Sequence, residues 1–225
     1  MIDLGTLGGV SGAPTWLNNY GQVVGQSDLA GDTDSHPFLW TKGRLIDLAT
    51  STTGGQPIFA AAIDDAGNII GAADFPNAQF DAYVWKDGVA RDLGHVNGDC
   101  MSEADGINSR GQIVGISYPC DGSRSNAYLW EQGELVDLNS LVPPNSPHLT
   151  AAVGINDRGE IAAGSDDGSV ILLVPITPSE EDVISGPVDN SATTSTERTP
   201  TSDEVAAMRA RWWHLHRGFR AWPRH

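Results

Sequence analysis

The 225-residue chain is poor in several residue classes, and each shortage argues against a kind of protein. No stretch approaches 18 consecutive apolar residues, so the sequence predicts no transmembrane helix. Basic residues number 13 against 29 acidic ones, and a chain this negative repels a phosphate backbone, so its main body is not expected to bind nucleic acid. A nucleophile elbow, a P-loop, a zincin helix and a dinucleotide fingerprint are all missing, so no catalytic residues are predicted.

Cysteine is also scarce, with only Cys100 and Cys120 present. Neither a CxxC step nor a nearby histidine pair accompanies them, so they do not predict a zinc site, and we expect no bound metal from this pair. The two cysteines flank one predicted hairpin, whose ends lie side by side, and they could form a disulfide in an oxidising compartment. The alternative is two free thiols.

The sequence does contain 26 glycines and 13 prolines, which favours many turns and a β-rich fold. Most of the acidity lies in residues 1–175, which hold 22 acidic and 7 basic side chains. Such acidity commonly serves solubility, and a cation-binding role is the more specific alternative.

A first motif, an apolar residue followed by Asn/Asp-x-x-Gly and an apolar run, occurs four times. Its copies begin at Leu17, Ile63, Ile107 and Ile155, and their turn glycines are Gly21, Gly67, Gly111 and Gly159. Asn and Asp stabilise the start of a turn, and glycine accepts the positive φ where it closes, so each copy predicts a tight β-hairpin.

A second motif follows the first three copies and predicts another hairpin. It consists of an aromatic and an aliphatic residue before a tryptophan, a glycine three positions later, and a closing Asp-Leu pair. The tryptophans are Trp40, Trp85 and Trp130, and the pairs are Asp47-Leu48, Asp92-Leu93 and Asp137-Leu138. We expect these tryptophans to pack in the core between neighbouring sheets rather than to form a ligand platform.

Four short strands in each repeat of about 45 residues are typical of a β-propeller blade. The sequence therefore predicts an all-β propeller over residues 1–175. The predicted repeats span 10–48, 56–93, 102–138 and 149–174. Residues 1–9 end in the same way as a repeat and are predicted to complete the last blade and close a four-bladed ring. The competing interpretation is an arc of a larger ring.

These motifs resemble those of the HAF-repeat proteins, which are described as extracellular repeat proteins. The resemblance covers about residues 1–174. It rests on Asp3-Leu4-Gly5-Thr6-Leu7-Gly8-Gly9, on the four hairpins and on the three tryptophan segments, whereas the His-Ala-Phe step itself is only approximated, as in His36-Pro37-Phe38. It implies a propeller-like fold and an extracellular or cell-envelope location, and it implies no catalytic residues. Because no signal peptide begins the chain, the sequence also suggests a truncated start.

The candidate ligand-binding residues are acidic side chains, with one histidine, in or beside the loops that join the two hairpins of each repeat. They are Asp32, Asp34, His36, Asp74, Asp81, Asp121, Asp166 and Asp167. In a propeller these loops share one face, where clustered carboxylates could bind Ca²⁺ or a hydroxyl-rich ligand. The alternative is solvated loop tips, because aspartate commonly stabilises turns. No other cofactor is expected.

Beyond the repeats, residues 176–204 have the composition of a disordered linker. Residues 205–225 are basic and aromatic, and a helix is predicted from Ser202 to about Arg217. This tail could rest on an anionic membrane or on the acidic body; a disordered end or an extension in a foreign reading frame would give the same composition.

Three functions follow as hypotheses. The first is a non-catalytic binding or scaffold module for a glycan or a protein. The second is a carbohydrate-active hydrolase or lyase that uses carboxylates on the ring face. The third is a fragment of a larger propeller without independent function.

Overall fold

The computed structural model describes residues 1–32, 34–76, 80–96 and 98–176. Regular structure in this part of the chain is almost entirely β-strand, which confirms the all-β prediction. The strands form consecutive antiparallel meanders that follow the sequence repeats, and we number them units 1 to 4. Unit 1 contains β1 (Gly8–Leu17), β2 (Val23–Leu29), β3 (Ser35–Thr41) and β4 (Arg44–Asp47); unit 2 contains β5 (Gln56–Ile63), β6 (Ile69–Asp74), β7 (Phe80–Lys86) and β8 (Val89–Gly94); unit 3 contains β9 (Asp99–Ile107), β10 (Ile113–Pro119), β11 (Asn126–Glu131) and β12 (Glu134–Asp137); and unit 4 contains β13 (Leu149–Ile155), β14 (Ile161–Ser165) and β15 (Val170–Leu173).

Units 1 and 4 form separate sheets of four and three strands, whereas units 2 and 3 share one eight-stranded sheet. The join within that large sheet is narrow, since a single parallel bridge links Phe80 in β7 to Met101 in β9. Apart from this bridge, the strands of each of the first three units pair only with one another, so each of these units is a four-stranded antiparallel meander.

The hairpin that opens each unit is stabilised by the side chain at the start of its turn. In unit 3, Asn108 Oδ1 accepts hydrogen bonds from the backbone N–H groups of Arg110, at 3.0 Å, and Gln112, at 3.1 Å. All four turn glycines have positive φ, a region in which glycine has no steric penalty: 72° at Gly21, 79° at Gly67, 77° at Gly111 and 81° at Gly159.

In every unit the first strand carries an extra residue shortly before the first hairpin turn, where it pairs with the second strand. In unit 2, Ala60 pairs with Gly71 and Ala62 pairs with Ile70, so Ala61 is left over. The corresponding extra residues are Thr15 in unit 1, Asp105 in unit 3 and Val153 in unit 4. A bulge of this kind bends the strand and increases its twist, so the same bend recurs in every unit.

Apolar side chains from neighbouring units form the core. Between units 1 and 2, Val24 and Leu39 pack with Ala60 and Ile63, and each of the four is less than 5% exposed. Equivalent clusters join unit 2 to unit 3 and unit 3 to unit 4. Full burial of one aliphatic side chain of this size contributes about 1.5–3 kcal/mol, so contact between units is a main source of stability.

The half-buried tryptophans of the second motif pack toward the preceding unit. Trp85 contacts the core cluster between units 1 and 2, and its Nε1 donates a hydrogen bond to Thr52 Oγ1 at 3.0 Å. Trp130 contacts the cluster between units 2 and 3. Trp40 is the equivalent residue of unit 1.

The Asp-Leu pair that ends a unit starts the link to the next one. Asp47 is the N-cap of α1 (Leu48–Ser51), and its Oδ1 accepts a hydrogen bond from the backbone N–H of Ala49 at 2.9 Å. Asp92 and Asp137 likewise accept from the amide two residues further on, at 2.7 Å and 2.8 Å. The leucines that follow are buried between units: Leu48, Leu93 and Leu138.

Helical structure in the described residues is limited to α1 and one turn of 3-10 helix at Leu138–Ser140. No helix in these ranges has the length and apolar character needed to cross a bilayer. The predicted linker, apart from the exposed Ile176, and the predicted basic tail lie outside the described residues, as does the helix predicted from Ser202.

The prediction that residues 1–9 complete the last blade is not confirmed by the described strands. Residues 1–6 form no strand, Leu7 makes only an isolated bridge to Leu29, and Gly8 already belongs to β1. Among the described residues, β15 pairs with β14 alone.

The residues that follow the N-terminal segment are hydrogen-bonded to unit 1. The backbone N–H of Leu7 donates to Ser27 Oγ at 2.9 Å, and that of Val10 donates to Asp32 Oδ1 at 2.9 Å. These bonds hold Leu7 and Val10 against the first unit. In the described part of the chain, no strand pairing joins the first unit to the last.

Candidate functional site

The antiparallel order of the strands places the connections of each unit at two opposite edges. The β1–β2 and β3–β4 turns, with their equivalents in later units, lie at one edge, which we call the turn edge. The β2–β3 loop and the link to the next unit lie at the other, which we call the loop edge.

Neighbouring units have the same orientation, so their loop edges face the same way. At the turn edge, Asn18 Nδ2 donates to the backbone carbonyl of Asp64 at 2.9 Å, which ties unit 1 to unit 2. Asn108 Nδ2 makes the equivalent bond to the carbonyl of Asn156 at 2.9 Å, which ties unit 3 to unit 4. Each bond joins equivalent positions of adjacent repeats, so adjacent units lie side by side in the same orientation.

The two edges differ in regularity. Every first hairpin turn at the turn edge spans five residues and every second one spans two. At the loop edge the connections range from four residues, as at 166–169, to eleven, as at 138–148. The structure thus combines one edge of uniform turns with an opposite edge whose connections vary in length.

Several candidate aspartates at the loop edge are used by their own turns. Asp121 Oδ1 accepts a hydrogen bond from the backbone N–H of Ser123 at 2.8 Å, and these bonds lower the pKa of Asp121. Asp167 Oδ1 accepts from Ser165 Oγ at 2.7 Å and from the N–H of Ser169 at 2.9 Å, and its pKa is lowered in the same way. These carboxylates shape the loops and are exposed to solvent.

Asp32 and Asp34 occupy the loop of unit 1, and both are exposed. Asp32 has a φ of 56° and accepts the Val10 bond described above. Asp34 Oδ1 accepts from the backbone N–H of Ser35 at 2.8 Å.

Asp166 links the loops of units 3 and 4. It forms an ion pair with Arg124, and its Oδ1 accepts a hydrogen bond from the backbone N–H of His148 at 3.2 Å. The side chain of His148 in turn lies 3.0 Å, measured from Nε2, from the carbonyl oxygen of Ser125. Loops of adjacent units are therefore in direct contact at this edge.

The remaining candidates lie at strand ends beside the loops. His36 Nδ1 lies 2.9 Å from Asp47 Oδ2. Burial raises the pKa of Asp47, but hydrogen bonds from His36 and Thr50 outweigh it, so that this pKa falls below its ordinary value. Asp74 ends β6, where it pairs with Phe80 of β7.

Asp81 differs from the other candidates because it is completely buried and belongs to a cluster of polar side chains. His95 Nδ1 lies 2.8 Å from Asp81 Oδ1, and Ser102 Oγ lies 3.2 Å from the same oxygen. The hydrogen bond that His95 donates to Asp81 raises the pKa of His95, whereas burial raises the pKa of Asp92 nearby. Sequence reasoning missed His95 and Ser102, which lie 14 and 21 residues from Asp81.

This cluster contains the three residue types of a serine hydrolase in a different order. A catalytic serine needs an imidazole within hydrogen-bond reach, with the carboxylate behind it. Here the carboxylate of Asp81 lies between the serine and the histidine. Ser102 is fully buried, and its Oγ donates to the carbonyl of Gly94 at 2.6 Å. The arrangement fixes the link between units 2 and 3 and does not present a nucleophile.

A second buried acidic group, also missed from the sequence, lies in the middle of β9. Glu103 is 2% exposed, and its Oε1 accepts a hydrogen bond from Tyr118 Oη. Asp105 Oδ2 is buried without a hydrogen-bond partner among the described atoms. Burial, followed by the charge of Glu103, raises the pKa of Asp105 well above its ordinary value. The corresponding residue in unit 2 is alanine, so the repeat pattern gave no signal for this carboxyl.

Cys100 and Cys120 form a disulfide, with their Cα atoms 5.1 Å apart. The bond connects β9 to the loop that follows β10, at the loop edge of unit 3. Cys100 is buried with Phe80 and Met101, at the bridge between units 2 and 3.

The described residues contain no group of three or more His, Cys, Asp or Glu side chains arranged to hold a metal ion. The candidate carboxylates therefore do not converge on a calcium site within these ranges. A shallow groove of about 370 Å³ lies away from them, against the β11–β12 hairpin, where its lining residues are Leu129, Glu131, Gln132, Glu134 and Val136.

No protein-family model matches the chain, and no curated protein matches it. Among solved structures, it is similar to the crystal structure of the computationally designed Ika4 protein, with 19% sequence identity and a TM-score of 0.41. The similarity covers 77% of this chain and 98% of that one. A likeness this distant bears on neither fold nor function. The resemblance to HAF-repeat proteins stays a prediction that rests on the sequence motifs.

Proposed function

We propose that the chain is a non-catalytic binding module of β-propeller type, in which the units are blades and the loop edge binds a glycan or a protein. The observation that carries this proposal is the contrast between the uniform turn edge and the varied loop edge. Binding residues concentrate on variable loops that a rigid scaffold positions. The HAF-like motifs add an extracellular or cell-envelope location to the proposal.

The packing of the units supports their interpretation as blades. Four-stranded meanders that stack face to face, with a tryptophan directed at the preceding sheet, are the building blocks of propellers. Trp85 and Trp130 contact the clusters that join their units to the preceding ones. The repeated bulge gives every first strand the same bend, as expected for strands that surround one axis.

Two observations favour binding over catalysis. The Asp81 cluster is buried and has its carboxylate in the position that a catalytic histidine would need. The loop carboxylates of Asp121 and Asp167 already accept turn hydrogen bonds. Such groups can recognise a ligand without a change of protonation, whereas a glycosidase needs two carboxyl groups that face one bond.

The charge of the loop edge narrows the chemistry of the ligand. Asp32, Asp34, Asp121 and Asp167 are all exposed there. Arg124, which is paired with Asp166, is the only lysine or arginine in the loop-edge connections 120–125, 138–148 and 166–169. Exposed carboxylates accept hydrogen bonds from sugar hydroxyls and attract basic protein segments. We therefore expect neutral glycans or basic peptides to bind and acidic polymers to be rejected.

The proposal is tested with an array of immobilised polysaccharides and an array of basic and acidic peptides. Each probe that binds the native chain is titrated against the triple variant Asp32→Asn, Asp34→Asn and Asp121→Asn. Asparagine keeps the oxygen that accepts the turn hydrogen bond and removes the charge, so the loops should retain their shape. We expect at least about a tenfold loss of affinity, which corresponds to about 1.4 kcal/mol.

The matched control is Glu134→Gln, which removes an exposed carboxylate from β12, outside the loop edge. It should bind like the native chain. The proposal is wrong if no probe binds the native chain, or if the triple variant and the control bind equally well. If the native chain releases reducing ends from a polysaccharide, its function is hydrolysis and the proposed non-catalytic function is wrong.

A further inference from the structure

The first unit exposes apolar side chains that are buried at equivalent positions of the next unit. Leu17 and Ile63 each end the first strand of their unit, opposite Val23 and Ile69. Ile63 is only 2% exposed because unit 1 covers it, whereas Leu17 is 64% exposed. We call the surface around Leu17 the leading face.

The last unit shows the reverse relation. Leu39 in β3 pairs with Val24, and Leu172 in β15 pairs with Ala162 at the equivalent position. Leu39 is 4% exposed because it packs into the cluster that contains Ile63 of unit 2, whereas Leu172 is 64% exposed. We call Leu172, together with Val153 on β13, which is 58% exposed, the trailing face.

These two faces are complementary by repetition. Leu39 and Ile63 form an interface within the chain, and Leu172 and Leu17 are the equivalents of these two residues on the free ends. The described residues show no strand pairing that brings the two free ends of one chain together. A trailing face therefore fits a leading face in the way that unit 1 fits unit 2.

Polar groups follow the same rule. Asn108 Nδ2 donates to Gln112 Oε1 within its own turn, at 2.7 Å, and to the carbonyl of Asn156 in the next unit. Asn156 Nδ2 repeats the first bond, to Glu160 Oε2 at 2.6 Å, and Asn156 is exposed in the last of the described units. Its second N–H is positioned for a carbonyl that a following unit would supply.

The N-terminal segment has the geometry of a link that follows an earlier unit. Asp3 Oδ1 accepts a hydrogen bond from the N–H of Gly5 at 3.0 Å, as Asp92 does from Gly94 at 2.7 Å. The two glycines have φ values of 75° and 76°. Asp92 belongs to β8, which pairs with β7, so residues 1–3 occupy the place where an outermost strand ends.

The free edge of β15 is the matching partner for that segment. In the described residues β15 carries no strand on its outer side, whereas β3, β7 and β11 each do. Residues 1–3 of another chain could add there, and the exposed Ile2, which precedes Asp3 as Ile46 precedes Asp47, would become covered.

We infer that two copies of the chain associate head to tail, with the leading face of one copy on the trailing face of the other. The contact reproduces the interface between units 1 and 2, and it adds residues 1–3 of the first copy to the edge of β15 in the second. Such a contact is heterologous, so it closes into a ring of copies or continues as an open series. It is independent of ligand binding at the loop edge.

The test measures the mass of the native chain by sedimentation velocity over two orders of magnitude in concentration. Physiological salt is used, since it limits repulsion between the acidic chains to about 8 Å. We expect the mean mass to rise above that of one chain. A single-chain mass at every concentration would overturn the inference and would indicate that another part of the same chain, or a different partner, covers these faces.

Two variants then remove one face each. Leu17→Arg disables the leading face and Leu172→Arg disables the trailing face, and both side chains are exposed, so the units should still fold. Each variant alone should sediment as a single chain, with affinity for itself reduced at least about tenfold. Leu141→Arg is the matched control, because Leu141 is 62% exposed but lies in a link, and it should associate like the native chain.

A mixture of the two variants gives the decisive result. Leu17→Arg keeps its trailing face and Leu172→Arg keeps its leading face, so one intact interface can form between them. We expect a complex of two chains in the mixture and no larger species. A mixture that stays at the mass of one chain, or a loss of association in Leu141→Arg equal to that in the variants, contradicts head-to-tail association.

Discussion

Substitution of Gly71 by alanine tests why glycine recurs at one position of the second strand in units 1 to 3. Gly71 in β6 pairs with Ala60, next to the bulge in β5. A Cβ atom at this position would lie 2.0 Å from the carbonyl oxygen of Phe59 and 3.2 Å from Ala60 Cα. Since the obstacle is backbone, no side-chain rotation relieves the contact, and the two strands must separate.

The loss in the free energy of unfolding follows from the packing of this region. Overfilling a well-packed site costs about 1–3 kcal/mol, and a backbone obstacle puts Gly71→Ala toward the upper end. Alanine also lowers the conformational entropy of the unfolded chain, which offsets about 0.4–1 kcal/mol of this loss. We therefore expect a net loss of about 1–2 kcal/mol, which for a body of this size lowers the melting temperature by roughly 2–8 °C.

The assay is urea and thermal unfolding followed by circular dichroism. The matched control is Gly164→Ala, because Gly164 also lies in a second strand, but a Cβ there meets nothing within 4 Å and its φ is not positive. The control should unfold within about 0.5 kcal/mol of the native chain. Equal midpoints for the two variants would refute the explanation based on the bulge.

The other two predictions concern stability within unit 3. Replacing Cys100 and Cys120 together by serine removes a disulfide that spans a sequence separation of 20 residues. We expect the free energy of unfolding, measured in urea, to fall by about 3 kcal/mol. The native chain under reducing conditions should show the same loss. Because the pKa of Asp105 is raised in the folded state, this carboxyl makes stability fall as pH rises above about 4. In Asp105→Ala the free energy of unfolding should therefore change less between pH 4 and 7, and at pH 7 it should be higher than in the native chain by about 1 kcal/mol. The control Glu134→Ala should keep the native pH profile. An unchanged pH profile in Asp105→Ala would contradict the assignment.

The hairpins could be predicted from the sequence because their determinants are local. Asn108 and Gly111 lie within one five-residue turn, and the residue types required there follow from backbone φ and short hydrogen bonds. The all-β class followed from the same turns. The role of Gly71 could not be predicted, because it depends on the carbonyl of Phe59, which reaches it only through a bulge in another strand.

The candidate site was predictable only where the relevant residues lie close together in sequence. Asp32, Asp34 and Asp121 were found because acidic loops recur at one phase of the repeat. The cluster of Asp81, His95 and Ser102 was not found, since it joins one unit to the link and first strand of the next. A repeat pattern shows what units share, and this cluster occurs where one unit differs from the others.

Closure of the series could not be read from the sequence for a different physical reason. Leu17 and Ile63 have the same position in the motif, and their exposure, 64% and 2%, differs only because a neighbouring unit covers one of them. The sequence motif of a repeat is therefore compatible with any number of units. It is also compatible with a neighbouring unit that belongs to the same chain or to another chain. What distinguishes these cases is whether the leading and trailing faces meet.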